Sequence, residues 1–136
     1  MIGSEKTQSR MNGRMEHLVF VYGTLKKGFS NHRLLASSEL LGVAQTVKMY
    51  AMFSTGVPIV VKDESISPIF GELYRVDEVT LVYLDSLEGH PDWYRREEVE
   101  VLLEAEGEGQ HIELAWIYFN LDKRGTLIPS GEYLKD

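Results

Sequence analysis

Apolar positions along the chain first cluster at residues 18–22 (LVFVY), where both faces of an extended segment are apolar. That run predicts a strand buried on both sides. Residues 31–38 (NHRLLASS) read as a short helix or helical turn, and residues 40–53 as one or two strands broken near Gly42. Residues 57–62 and 69–76 are further β-branched or alternating runs, bounded by Gly56, Pro58, Pro68 and Gly71. At Asp77 the period changes. Val76, Val79, Val82, Tyr83 and Leu87 recur at helical spacing, Asp77 is placed to cap the helix, and Gly89 ahead of Pro91 ends it.

Two alternating runs, 95–105 and 111–120, follow with Glu-Gly-Glu-Gly between them, which signals a hairpin. The tail, Ile-Pro-Ser-Gly-Glu-Tyr-Leu at 128–134, reads as a turn with two apolar anchors. The order is β, short α, several β, α, then hairpin. It predicts an α+β domain with a strongly curved sheet or β-barrel and flanking helices, since helices are too few for repeated βαβ units. Residues 1–16 are polar without an apolar period, so the chain divides into a polar arm, 1–16, and a single domain, 17–136.

Composition narrows the function classes. Fourteen Lys and Arg against 21 Asp and Glu give a formal charge of -7, which argues against nucleic acid and anionic lipid as partners. No stretch is long and apolar enough to span a membrane, and the amino terminus lacks an apolar signal core, so a cytoplasmic location is expected. Cysteine is absent, which removes thiolate nucleophiles and cysteine metal sites and fits a reducing compartment. The four histidines share no i, i+4 spacing, so no metal is expected. No Gly-x-Ser-x-Gly elbow is present either.

Two stretches carry candidate chemistry. Gly23-Thr-Leu-Lys-Lys-Gly28 has the glycine spacing of a phosphate loop, but Phe29 stands where that loop needs its lysine, so nucleotide hydrolysis is not expected. The same turn can instead aim main-chain amides at a carboxylate or oxyanion, with Gly23 letting a ligand approach; from these residues alone a plain turn glycine is the better explanation. The second stretch is the helix end. Glu88 sits one residue before the glycine stop, close behind Leu84 and Leu87, where the negative helix pole and partial burial would raise its pKa and suit it to proton transfer; an ordinary surface glutamate explains the position equally. Asp85 is the rival, about 60° round the helix from Glu88, and is expected to be solvated. Trp116, Tyr118 and Phe119 fit core and hairpin packing.

Taken in order, Val-Tyr-Gly-Thr-Leu-Lys-Lys-Gly-Phe-Ser-Asn-His (21–32), Gly-Glu-Leu-Tyr-x-Val (71–76), Leu-Asp-x-Leu-Glu-Gly (84–89), Tyr-x-Arg (94–96), Ala-Trp-x-Tyr (115–118) and Ile-Pro-Ser-Gly (128–131) resemble the gamma-glutamylcyclotransferase-like family. The nearest branch is the small gamma-glutamylamine cyclotransferase type. The resemblance implies a compact mixed β-barrel with a substrate cavity beside the Tyr-Gly-Thr-Leu loop. It implies Glu88 as catalytic acid and base, Tyr22, Gly23, Thr24 and Leu25 as the substrate loop, and Tyr118 as a cavity wall and hydrogen-bond donor. The implied reaction closes a gamma-glutamyl compound to pyroglutamate and expels an amine, without cofactor or metal. The loop amides would bind the substrate α-carboxylate or its carbonyl oxygen, and the residues leave that open. Val57 and Tyr133 depart from the aromatic residue and the tryptophan that relatives often carry there, which bears on substrate choice. The acidic surface mildly favours a cationic leaving portion. The alternative function is a small-molecule binding or regulatory module that has lost turnover. The oligomeric state stays open between monomer and homodimer.

Overall fold

A computed structural model describes residues 10–11, 14–105, 107 and 109–134. Their elements are β1 (Arg10–Met11), β2 (Arg14–Val21), a 3-10 turn (His32–Leu35), β3 (Glu39–Thr46), β4 (Ala51–Ser54) and β5 (Pro58–Val61), followed by β6 (Phe70–Asp77), α1 (Glu78–Glu88), β7 (Tyr94–Ala105), β8 (Gly109–Asn120) and β9 (Thr126–Ile128). Strands run in the order β1-β2-β6-β3-β7-β8, and β2 also pairs in parallel with β8 at Val19 and Trp116. That last pairing closes β2, β6, β3, β7 and β8 into a barrel. A second sheet, β5-β4-β9, lies beside it.

The unbroken apolar run in β2 follows from this placement. Phe20 points into the barrel with Leu73, Val101, Ile117 and Phe119, while Val19 and Val21 face outward into a second core with Tyr74, Val76, Leu81 and Leu84. A strand packed on both sides has no polar face to offer. The strand begins at Arg14, inside the segment read as a polar arm, and Glu16 pairs with Asp77 in register. Residues 1–9, 12 and 13 of that arm lie outside the described residues, as do Glu106 and Glu108 of the hairpin link.

Near Gly42 the register between β3 and β6 slips, so the expected break is a bulge within one strand. Gly42 has φ +153, and a Cβ there would meet the Glu104 carbonyl oxygen at 2.5 Å. The tail has its two anchors in Ile128 and Tyr133, which both pack against the barrel core, whereas Leu134 is 64% exposed.

Helix α1 turns a different face inward from the one its spacing suggests. Leu81 and Leu84 are buried, whereas Val79, Val82, Tyr83 and Leu87 are 52, 55, 61 and 43% exposed. The junction explains the choice. Asp77 is both the last residue of β6 and the helix cap, its carboxylate accepting from the Thr80 N–H at 2.8 Å. With no linker, the helix cannot rotate to bury its other apolar row. Glu88 falls four residues after Leu84 and so continues the buried row. Gly89, left-handed at φ 69 and ψ 37, ends the helix there.

The barrel wall is tightest where β6 crosses β2. A Cβ on Gly71 would run into the Val21 carbonyl oxygen and press on the Phe20 ring. Gly71→Ala is therefore expected to destabilise the fold by about 2 kcal/mol. Denaturant unfolding checks this, and an unchanged midpoint would contradict the close crossing.

Candidate active site

Where β2 ends, the chain cannot continue as strand. Residues 22–25 turn instead, with the Lys26 N–H donating to the Gly23 carbonyl at 3.0 Å and the Asn31 N–H to the Thr24 carbonyl at 2.8 Å. The Asn31 amide also donates to the Thr24 hydroxyl at 2.8 Å, which fixes the loop's shape. Among the described residues, the N–H groups of Gly23, Thr24 and Leu25 have no protein acceptor. These three residues border a cavity of about 240 Å³, lined on other sides by Tyr22, Glu88, Tyr94 and Tyr118.

Two elements meet there for structural reasons. The Tyr22 hydroxyl donates to the Tyr118 carbonyl at 2.7 Å, tying the loop to β8. Helix α1 brings Glu88 in as the polar end of its buried row. Tyr22, Gly23, Thr24, Leu25, Glu88 and Tyr118 thus line one cavity.

The two carboxylates of the helix end sit in opposite environments. Glu88 forms no hydrogen bond or ion pair among the described residues. Burial alone pushes its pKa up to about 7. Asp85, by contrast, is not solvated. Arg96 grips it with Nε at 2.8 Å and Nη2 at 3.1 Å, and the Tyr118 hydroxyl donates to it at 2.6 Å. Burial alone would raise Asp85 as well, but these hydrogen bonds and the Arg96 charge outweigh it and hold Asp85 below the usual carboxylate range. Asp85 is thereby fixed as an anion, and Glu88 is left able to exchange a proton near neutrality.

Arg96 is itself well placed. Its guanidinium lies 4.2 Å from the Trp116 ring centroid, and its backbone N–H donates to His90 Nδ1 at 3.2 Å. Tyr118 is accordingly a donor spent on Asp85. Burial and that acceptor carry its own pKa well above the usual value, which excludes it as a base at neutral pH. The spacing of residues 84–96 contains both partners of the Asp85–Arg96 pair, but only strand β7 folding back against the helix end joins them.

Gly23 has a structural reason beyond the ligand approach expected of it. A Cβ on it would lie 2.7 Å from Cγ of Pro58, so the missing side chain makes room for the proline ring. Pro58 and Val57 line the cavity too, positions the sequence marked only as a turn and a departure.

The sequence and the fold can now be set beside known proteins. Residues 19–135 match the family model described as gamma-glutamyl cyclotransferase, AIG2-like. The chain belongs to the gamma-glutamylcyclotransferase family. A Methanocaldococcus jannaschii protein provisionally named a gamma-glutamylcyclotransferase is 49% identical over 116 residues, spanning 85% of this chain and 93% of its own. Gamma-glutamylaminecyclotransferase C of Danio rerio is 36% identical over 116 residues, 78% of this chain and 76% of its own. An AIG2-like protein of Mus musculus superposes with a TM-score of 0.74 at 25% identity, covering 87% of this chain and 88% of the mouse chain. Family membership makes this gamma-glutamylcyclotransferase-family chain a cyclotransferase in class, with a small-molecule substrate. Among its described residues, no helix is long and apolar enough to cross a membrane.

Two outcomes are expected from this geometry. Because the folded pKa of Glu88 lies above its unfolded value, the folded state binds the extra proton, and the wild type loses stability as pH rises from about 4.5 to 7. Glu88→Gln, which cannot ionise, should match the wild type near pH 4 and exceed it by roughly 3 kcal/mol above pH 8. Parallel stability curves for the two proteins across that window would show that Glu88 is not buried. At the loop, Gly23→Ala should destabilise the wild type by about 1–3 kcal/mol. In a Pro58→Ala background the same change should be close to neutral, as read by a double-mutant unfolding cycle.

Proposed function

We propose that this chain converts a gamma-glutamyl amine to pyroglutamate and a free amine, with Glu88 moving the proton. The observation that carries the reading is an unpaired carboxylate, titrating near neutrality, in a small cavity lined by residues 23–25, whose N–H groups have no acceptor among the described residues. The named gamma-glutamylaminecyclotransferase relative supports the same substrate class.

The chemistry needs little else. The substrate's α-ammonium gives a proton to the Glu88 carboxylate, and the freed amine attacks the γ-carbonyl carbon. A C–N bond forms in the five-membered ring, Glu88 gives its proton to the amide nitrogen as the original amide C–N bond breaks, and the surplus proton of the ring nitrogen passes through the same carboxylate to the departing amine, which leaves as an ammonium ion. The nucleophile belongs to the substrate, so the protein's task is to hold the extended gamma-glutamyl chain folded back on itself. The amides of residues 23–25 receive a substrate oxygen, either of the α-carboxylate or of the γ-carbonyl. Tyr22 and Tyr94 wall the cavity, and Tyr118 is held by Asp85 as a fixed surface beside Glu88.

A base poised near pH 7 is matched to this task, because it is ionised enough to accept a proton and acidic enough to return one. Glu88→Gln should lower kcat by about 10²- to 10⁴-fold while pyroglutamate binding stays within a few-fold. In the wild type, kcat/KM should fall on the acid side with an inflection near 7. Assays of amine release across pH check both. Pyroglutamate binding without turnover of any gamma-glutamyl amine would replace the enzyme with the binding module.

A further inference from the structure

The cavity does not end at the loop. Thr24 and Val57 belong at once to its lining and to that of an adjoining groove of about 750 Å³. Phe29, Tyr133 and Leu134 supply the groove's apolar surface, and Gly56 supplies backbone. None of the described residues lining it carries a charge.

The groove's two aromatic walls are held in place from behind. Phe29 and Tyr133 lie with ring centroids 5.4 Å apart. The Lys26 ammonium, itself mostly buried, donates to the Tyr133 carbonyl at 2.6 Å and sits 5.1 Å from the Phe29 ring centroid. One cation is therefore already against this aromatic pair, with Glu132 and Glu72 as its opposite charges, and the lining itself offers neither a carboxylate to a second cation nor a cationic side chain to a carboxylate.

Resting on the reaction proposed above, we infer that this groove receives the leaving portion of the substrate and selects an uncharged, apolar or aromatic amine. Three features combine. The continuity through Thr24 and Val57 joins the groove to the cavity that would hold the scissile amide. The lining can bury apolar surface but cannot neutralise an amino acid's ammonium and carboxylate. The preformed ring pair offers a flat face for an aromatic group. This reverses the preference that the acidic overall charge suggests, because net charge acts at long range whereas the groove acts by contact.

The test uses three probes: gamma-glutamylbenzylamide, gamma-glutamylmethylamide and the gamma-glutamyl isopeptide of lysine. Their affinities are measured calorimetrically on the Glu88→Gln protein, and their kcat/KM on the wild type. The benzylamide is expected to bind about tenfold or more tighter than either of the others. Val57→Asp places a carboxylate at the shared rim on an exposed turn. It should weaken the benzylamide and strengthen the lysine compound, narrowing the ratio by about tenfold. Equal affinity for the three probes, or a ratio that Val57→Asp does not move, overturns the assignment of the groove. A clear benzylamide preference in binding with no wild-type turnover of any probe keeps the groove as an amine-portion site and removes the reaction. Turnover of all three with equal kcat/KM and equal affinity keeps the reaction and removes the groove's selectivity.

Discussion

The parallel contact between β2 and β8 is the constraint on which the rest of the molecule depends. Val19 and Trp116 pair across it, and without that pairing the sheet would remain an open ribbon with two edges. Closure buries β2 on both faces and brings the loop after it against Tyr118. The same step sets β8 under helix α1, so that Trp116 can stack on Arg96 and Tyr118 can reach Asp85. Barrel, helix and cavity are consequences of one closure.

Within that frame, the helix end assigns two acids to two jobs. Asp85 and Glu88 are one turn apart and chemically alike, yet one is ringed by donors and the other is left among aromatic and apolar groups. The clamped acid orders its surroundings: it holds Arg96 against Trp116 and keeps Tyr118 from rotating away. The isolated acid is reactive because it lacks such partners. Differences in solvation and pairing, rather than in residue type, separate the structural carboxylate from the reactive one.

Much of this was legible in the sequence, and the failures have physical causes. The strands and hairpin followed from alternation, and the Asp77 cap and Gly89 stop from local backbone chemistry, because those signals act over a few residues. The inward face of α1 was misread because the helix is apolar on more than one side, and a linkerless junction at Asp77 decides which row is buried. Asp85 looked solvated because Arg96 lies beyond the helix stop. That Gly23 also makes room for Pro58 is invisible in the sequence because Pro58 is remote in it. In each of these cases the deciding neighbour arrives through the tertiary fold. The unpaired state of Glu88 belongs to the same class, since spacing shows an acid at a helix end but not what surrounds it.

The tie from Lys26 to the Tyr133 carbonyl joins the loop after the first barrel strand to the chain's last described turn. Strand β8 ends at Asn120, so during synthesis the barrel's last strand emerges before Tyr133 does. The Glu88 side of the cavity belongs to the barrel and its helix, whereas the aromatic wall belongs to the tail that follows the β9 pairing with β4. The part that holds the carboxylate is thus encoded upstream of the tail residue that completes the aromatic wall.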